Sequence, residues 1–353
     1  MEPRDDPQQF IIGWKLTSAG KIPCVRDVLL REDVFGMIRV RFGIGRMEYR
    51  VPPGLYALGD PDESSEVLAT ANYKLTFDIL RSHLSKKNVW VLVLDTDGIN
   101  VWCAAGKGTF STTELAYRIK SCNLETIVSH RRIIIPQLAA SGVCAREIRS
   151  LTGFRAIFGP IDSADIPRFF ELGLKATPDM RRKTFGITER MVLIPIELVE
   201  ASKRGVFIVP AFLLFACLAG QDGCLSNMLS HGLFAVLALF IGIASGGAVT
   251  PLLLPWVPGR SFTTKGLVAG AVTGAAFLLS LALLGIPLMG IMASVGLFFM
   301  ILGVSSFLAM NFTGASTFTS LSGVRKEMRW GVPLEIVLAS LGVGFWMWSV
   351  WFS

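Results

Sequence analysis

Cys103 is one of six cysteines in this 353-residue chain, and its neighbours are the residues whose types and spacing could support chemistry. An apolar run over 89–95 leads into Asp95-Thr96-Asp97-Gly98-Ile99-Asn100-Val101-Trp102-Cys103-Ala104-Ala105-Gly106-Lys107-Gly108. Asn100 is a good helix N-cap, Val101 to Ala105 make about a turn and a half, and Gly106 can end it. Cys103 then sits in a first turn, where unpaired backbone N–H groups and the helix dipole favour a thiolate. Two readings stay open: a reactive or metal-ligating cysteine on a cap between strand and helix, or an inert small hydrophobe in a core. Lys107 between glycines imitates a phosphate loop. However, G-x-x-x-x-G-K-[ST] is not satisfied and no G-x-G-x-x-G follows a strand, so nucleotide binding is a weak alternative.

The other candidates are sparser. Cysteines at 24, 103, 122, 144, 217 and 224 contain no C-x-x-C pair and no ladder of ligand spacing. That pattern argues against a built-in zinc or iron–sulfur site and, in a reducing compartment, against structural disulfides. His83, His130 and His231 are the three histidines, and none stands in a D-x-H-x-x-G motif.

Elements able to position Cys103 are legible around it. Residues 66–173 alternate short apolar runs with helical patterns, as a mostly parallel sheet with crossover helices requires. Strands are expected at 67–70, 89–95, 126–128, 133–135 and 156–158, with helices at 73–83, 112–122, 144–151 and 166–172. Ser111-x-x-Glu114 is a capping box for the second of these helices. Ahead of this unit, 37–41 and 47–51 flank Phe42-Gly43-Ile44-Gly45-Arg46 and suggest a hairpin. In such open sheets a ligand sits beyond the carboxyl ends of the strands, which is where Cys103 falls.

Composition divides the chain. It is 52% hydrophobic with a mean hydropathy of +0.53, too apolar for two ordinary soluble domains. Beyond residue 205 the charged side chains are Arg260, Lys265, Arg325, Lys326, Arg329, Asp222, Glu327 and Glu335 alone. Residues 205–353 therefore read as a membrane domain with spans at 205–221, 230–250, 266–285, 288–310 and 332–352, the first short enough to be only partly inserted. A turn at Gly285-Ile286-Pro287 separates the third and fourth spans. Lys203 and Arg204, then Arg260 and Lys265, then Arg325, Lys326 and Arg329 fall in alternate loops, which puts the amino-terminal domain inside and the carboxyl terminus outside. The polar opening MEPRDDPQQF lacks the apolar stretch of a cleavable signal. Gly266, Gly270 and Gly274, with Gly242 and Gly246, permit close helix packing, within one bundle rather than between copies. Asp222, His231 and Glu335 lie near span ends, so an anchor is favoured over a transporter. Domains are expected at 1–180, with a core of about 60–180, then a basic connector at 181–204. A net charge of +7 is too dilute for a nucleic-acid footprint, and no nucleic acid is expected.

Asn100-Val101-Trp102-Cys103-Ala104-Ala105-Gly106-Lys107 resembles, at all eight positions, the signature of the HgcA family of mercury-methylating membrane corrinoid proteins. Thr70-Ala71-Asn72-Tyr73-Lys74-Leu75-Thr76-Phe77-Asp78 is similar to a segment of the corrinoid domain in the large subunit of the corrinoid iron–sulfur protein. That relative has no cysteine at the position of Cys103. The resemblance spans about 60–180 and implies a Rossmann-like α/β corrinoid-binding domain followed by an all-α five-helix transmembrane domain in the cytoplasmic (inner) membrane.

The resemblance implies a corrinoid cofactor whose cobalt takes Cys103 as axial ligand and catalytic residue, and a methyltransferase that methylates Hg(II). An anionic sulfur donor opposite a methyl group pushes electron density toward the cobalt–carbon bond, which suits an electrophilic acceptor such as mercuric ion. Asn100 would cap the helix, Trp102 pack beside the macrocycle, and Ala104, Ala105 and Gly106 permit close approach to a flat ring. Lys107 would hold a corrin amide. Thr70, Asn72 and Thr76 would offer polar groups at the neighbouring strand end, and Gly153, Gly159 and Pro160, after later strands, would line a slot for the nucleotide loop. With no cluster of its own, such a chain needs an external reductant, the ferredoxin-like [4Fe-4S] protein HgcB. Its methyl source would be a methyl-tetrahydrofolate-dependent system, since residues 1–205 leave no room for a folate-binding barrel. A methyl carrier of one-carbon metabolism with another native acceptor is the alternative, and a transporter with a regulatory domain is a third reading.

Overall fold

The computed structural model describes residues 9–219, 223–286, 290–315 and 321–352. Asp222, Pro287 of the expected turn and residues 1–8 of the polar opening lie outside them. Two compact units emerge, one of residues 1–40 and 44–184, the other of 41–43 and 185–353.

The first unit carries a seven-stranded sheet: β1 (Ile11–Thr17), β2 (Gly20–Val25), β3 (Gly54–Leu58), β4 (Val67–Ala71), β5 (Val89–Leu94), β6 (Arg132–Ile135) and β7 (Arg155–Phe158). Their spatial order is β1-β2-β3-β5-β4-β6-β7. Strands β5, β4, β6 and β7 run parallel, β3 is antiparallel to β5, and β1 with β2 is a hairpin. Both faces are covered, so β4 and β5 are buried at every position and read as unbroken apolar runs. Alternate side chains serve opposite cores. Val67, Ala69 and Ala71 pack with Leu92 and Leu94 on one face, while Leu68 joins Val89, Val91 and Val93 on the other.

Connections choose between those faces. From β4 the chain passes through α2 (Lys74–His83), whose Phe77 and Leu80 belong to the second core. From β5 it passes through α3 (Val101–Lys107) and α4 (Thr112–Ser121), whose Val101, Ala104, Ala105, Leu115 and Ile119 belong to the first. Because β4 and β5 are neighbours whose carboxyl ends feed helices on opposite faces, their ends form a switch point, the place at which open α/β sheets bind ligands.

Several expectations need correction. The 126–128 run is not a strand: Asn123 turns the chain at a φ of 46°, and Leu124–Ile127 forms a helical turn that buries Leu124 and Ile127. No hairpin forms over 37–51, because α1 (Arg31–Arg41) is a helix with Glu32 and Asp33 in its first turn, where acids complement the dipole. The hairpin is β1–β2, and the antiparallel β3 is an addition to the expected set.

The second unit is helical. Among the described residues, five helices are long and apolar enough to cross a membrane: Ile187–Ala219, Cys224–Leu252, Phe262–Leu283, Gly290–Gly314 and Ser322–Trp351. The connector at 181–204 is helical from Ile187 and Ile194 onward, so the first span is the longest rather than a short one. The last begins ten residues before its expected start, which places Arg325, Lys326 and Arg329 on its first turns and Glu335 within it, 4% exposed. A Cβ on Gly266 would lie 2.6 Å from Ala309 Cβ, and one on Gly246 would lie 2.4 Å from the Ser305 carbonyl. These glycines therefore let neighbouring helices of the same bundle touch. The expectation of no disulfide is overturned, since Cys217 and Cys224 are bonded. The expectation extended to all six cysteines, whereas the bonded two flank the first loop of the helical unit.

Candidate functional site

Asn72 ends the β4 side of the switch point, and the loop 95–99 forms the β5 side. Asn72 is 3% exposed, and its side chain is spent on that loop. Its Oδ1 accepts from Thr96 N at 3.1 Å, from Gly98 N at 2.9 Å and from Thr96 Oγ1 at 2.8 Å, while Nδ2 donates to Asp95 Oδ1 at 3.0 Å. Asp97 and Gly98 are both left-handed, at φ 57° and 72°, a turn that Asp tolerates and Gly favours. Glu114 Oε1 accepts from Asp95 N at 2.9 Å from the other side. Ser111 does cap α4 through Glu114 N, but Glu114 turns to this loop and to Arg118 instead of completing the box.

The loop delivers the chain to Asn100, whose Oδ1 accepts from Cys103 N at 2.9 Å, the cap expected from sequence. Helix α3 runs one residue past Gly106 and ends at Gly108, φ 83°, which takes the left-handed terminator role assigned to Gly106. Helical periodicity divides the segment into two faces. Val101, Ala104 and Ala105 pack into the core at 6%, 0% and 4% exposure, whereas Trp102, Cys103, Gly106 and Lys107 form an open crest. Ala104 and Ala105 are thus small for the sheet beneath them. A Cβ on Gly142 would lie 3.0 Å from Ala105 Cα and 2.2 Å from the Phe110 carbonyl, so the 137–142 turn presses on the same spot. Gly106 differs, because a Cβ there would meet nothing within 4 Å. Trp102 is 40% exposed and takes no part in the core.

The remaining expected residues scatter. Thr70 is buried in β4 and Thr76 is half-buried in the first turn of α2. Gly159 and Pro160 follow β7 at the same sheet end as Cys103, three strand spacings from β5, or about 14 Å. Gly153 does not follow a strand. It is the left-handed cap of the helix Ala145–Thr152, before β7, at the opposite end of the sheet. Among the free cysteines, Cys103 and Cys144 are exposed, while burial pushes the Cys24 and Cys122 thiols up. His83 Nδ1 lies 2.8 Å from Ser163 Oγ and His130 Nε2 lies 3.0 Å from the Ser65 carbonyl, away from the crest.

Sequence reasoning missed Glu114 as a loop support and missed the ion quartet behind α2. Lys74 and Arg81 there bridge Asp33 and Asp78 at 2.6 to 2.9 Å, and Tyr49 O–H adds a bond to Asp78. The i, i+4 pair Lys74 and Asp78 was the visible signal, but Asp33 comes from a distant helix.

Residues 32–170, under half of the chain, match the family model described as the CO dehydrogenase/acetyl-CoA synthase delta subunit. The chain is similar to acetyl-CoA decarbonylase/synthase complex subunit gamma of Methanopyrus kandleri, with 35% identity over 128 residues, 36% of this chain and 27% of that protein. Subunit gamma 2 of Methanosarcina thermophila is 36% identical over 130 residues, again 36% and 27% of the two chains. Subunit gamma of Methanocaldococcus jannaschii is 37% identical over 126 residues, 35% and 25%. The chain therefore spans about a quarter of the length of these relatives.

Proposed function

We propose that this chain is a membrane-anchored corrinoid methyltransferase that passes a methyl group to Hg(II), with Cys103 as the residue that would hold the cobalt of the corrinoid. The observation that carries the reading is an exposed cysteine on a cap helix at the switch point, inside a segment similar to subunits of acetyl-CoA decarbonylase/synthase complexes. The crest fits a flat macrocycle. Its one glycine has open space above it, and the bulkier Trp102 and Lys107 stand at its rim. When bound, the corrinoid would supply a cobalt able to carry and release methyl.

The chain's own residues do the rest. Asn100 holds the first turn, so that Cys103 Sγ projects from a fixed backbone. Lys107 offers a cation and hydrogen-bond donor beside the thiol, Thr76 offers a hydroxyl at the neighbouring helix start, and Gly159 and Pro160 line the far end. The reductant is a ferredoxin-like protein of the HgcB type, and the methyl source is a methyl-tetrahydrofolate-dependent system. Residues 1–180 form the cytoplasmic catalytic domain, with the five helices as its anchor in the inner membrane and the carboxyl terminus outside.

A methyl carrier serving another acceptor is the second reading. It is favoured by the relatives' being subunits of a decarbonylase/synthase complex. Cys103→Ala and Cys103→His variants in cells, assayed for methylmercury and for growth, separate the two. Loss of methylmercury in Cys103→Ala with normal growth is expected. Retained methylation sinks the thiolate assignment, and a growth defect without mercury favours the carrier. Absorption spectra of bound corrinoid in wild type and Cys103→Ala should differ, and identical spectra count against a cobalt–sulfur bond.

A further inference from the structure

The side chain of Asn72 sits at the switch point with both its polar atoms engaged by the loop 95–99, Oδ1 by donors from Thr96 and Gly98 and Nδ2 by the Asp95 carboxylate. We infer that Asn72 is a positioning residue, which sets where the Cys103 thiol stands by fixing the turn that precedes the cap helix. This rests on the reading of Cys103 as the functional thiol, and it replaces the expectation that Asn72 touches the cofactor.

The linkage is continuous and short. Asn72 Oδ1 collects the buried N–H groups of Thr96 and Gly98, two donors that would otherwise face each other across a left-handed turn with no acceptor. Thr96 Oγ1 lies 2.8 Å from both Asn72 Oδ1 and the Ile99 carbonyl, and its single proton serves one of these two acceptors at a time. One residue past Ile99, Asn100 caps Cys103 N. Asn72 is itself pinned from the far side, its carbonyl accepting from Val51 N at 2.8 Å. Asn is the side chain this geometry asks for. Its oxygen serves donors while its NH2 serves the Asp95 carboxylate, whereas Asp would set two carboxylates against each other and Ala would leave the donors bare.

The test uses the full chain in detergent without corrinoid, treated with iodoacetamide at fixed pH, with alkylation followed peptide by peptide. Cys144, exposed and just ahead of the helix Ala145–Thr152, is the internal control. In the isosteric Asn72→Asp and in Asn72→Ala, Cys103 should be alkylated at a rate changed by about fivefold or more, the equivalent of one lost hydrogen bond. Cys144 should keep its rate. An unchanged Cys103 rate in Asn72→Asp overturns the inference, as does a parallel rise at Cys103, Cys144 and the half-buried Cys122, which means general loosening. A further arm adds corrinoid. The variants should still retain it while their spectra move toward that of Cys103→Ala, and a variant that loses the corrinoid outright speaks for direct contact instead. If wild type itself binds none, the proposed function fails while the alkylation result still decides the role of Asn72.

Discussion

At the scale of single residues, the seven positions of α3 divide by exposure rather than by polarity. Trp102, apolar and large, stands outside, and Ala104, small, lies at the centre of the core. Substitutions should follow that division. Trp102→Ala is expected to leave the melting temperature within about a degree, because exposed sites contribute within about 0.5 kcal/mol. Ala104→Leu should destabilise by about 1–3 kcal/mol, because a packed site does not absorb three added carbons. Thermal melts of both variants check this, and a large loss in Trp102→Ala would show that the ring is packed. The asparagine cap was legible from the order of residue types alone, whereas that order left Cys103 open between a reactive thiol on the cap and an inert core residue. Which alanines were packing and which glycine was open was not, since that depends on the 137–142 turn lying over one side of the helix.

At the scale of elements, two devices hold the switch point in shape. One is the close approach at Gly142, where any side chain must displace the Phe110 carbonyl. Gly142→Ala should therefore lower stability by about 1–3 kcal/mol despite adding a single methyl group. The other is the buried quartet anchoring α2 to the Arg31–Arg41 helix. Removing one member strands the others, and Asp78→Ala is expected to cost about 3–5 kcal/mol, read as a fall in melting temperature. Burial pushes the Asp33 carboxyl up, but hydrogen bonds from Lys74, the Leu30 N–H and Arg81 outweigh it and hold the carboxyl below its usual range. A depressed carboxyl contributes stability that is present above its unfolded pKa, about 3.9, and lost as pH falls through the lower folded value. Melts between pH 7 and pH 3 should thus show wild type losing stability below about pH 4. Asp33→Asn should lack that part of the acid dependence and be less stable at pH 7. An identical pH profile in the two would remove Asp33 from the account.

At the scale of the whole molecule, the Cys217–Cys224 bond gives the helical unit a feature that its charge pattern did not foretell. Alkylation of the unfolded chain without reductant should label four cysteines, and six after reduction; six in both conditions would remove the disulfide. Loop charges predict that this loop lies on the side opposite Lys203, Arg204, Arg260 and Lys265, where an oxidising compartment would keep the bond. A membrane-impermeant maleimide applied to intact cells should reach a cysteine placed at the carboxyl-terminal Ser353 and spare Cys103. Labelling of Cys103 from outside would reverse the topology.

Sequence by itself determined the features that depend on neighbours along the chain. Apolar runs at 67–70, 89–95, 133–135 and 156–158 read as strands and fold as strands, although the run at 126–128 read the same way and folds as a helical turn; charge depletion beyond residue 205 pointed to long apolar helices, and Asn100 could cap what followed it. Tertiary structure decided everything set by contact between distant segments. It gave the order β5-β4-β6, which sets two adjacent strand ends at a switch point; the antiparallel β3; the disulfide; and the hydrogen bonds that tie Asn72 to the loop 95–99. The physical reason is common to all four. Periodicity and caps are written within a few residues, whereas pairing partners and the fate of a buried polar side chain depend on which backbone donors another strand brings beside it.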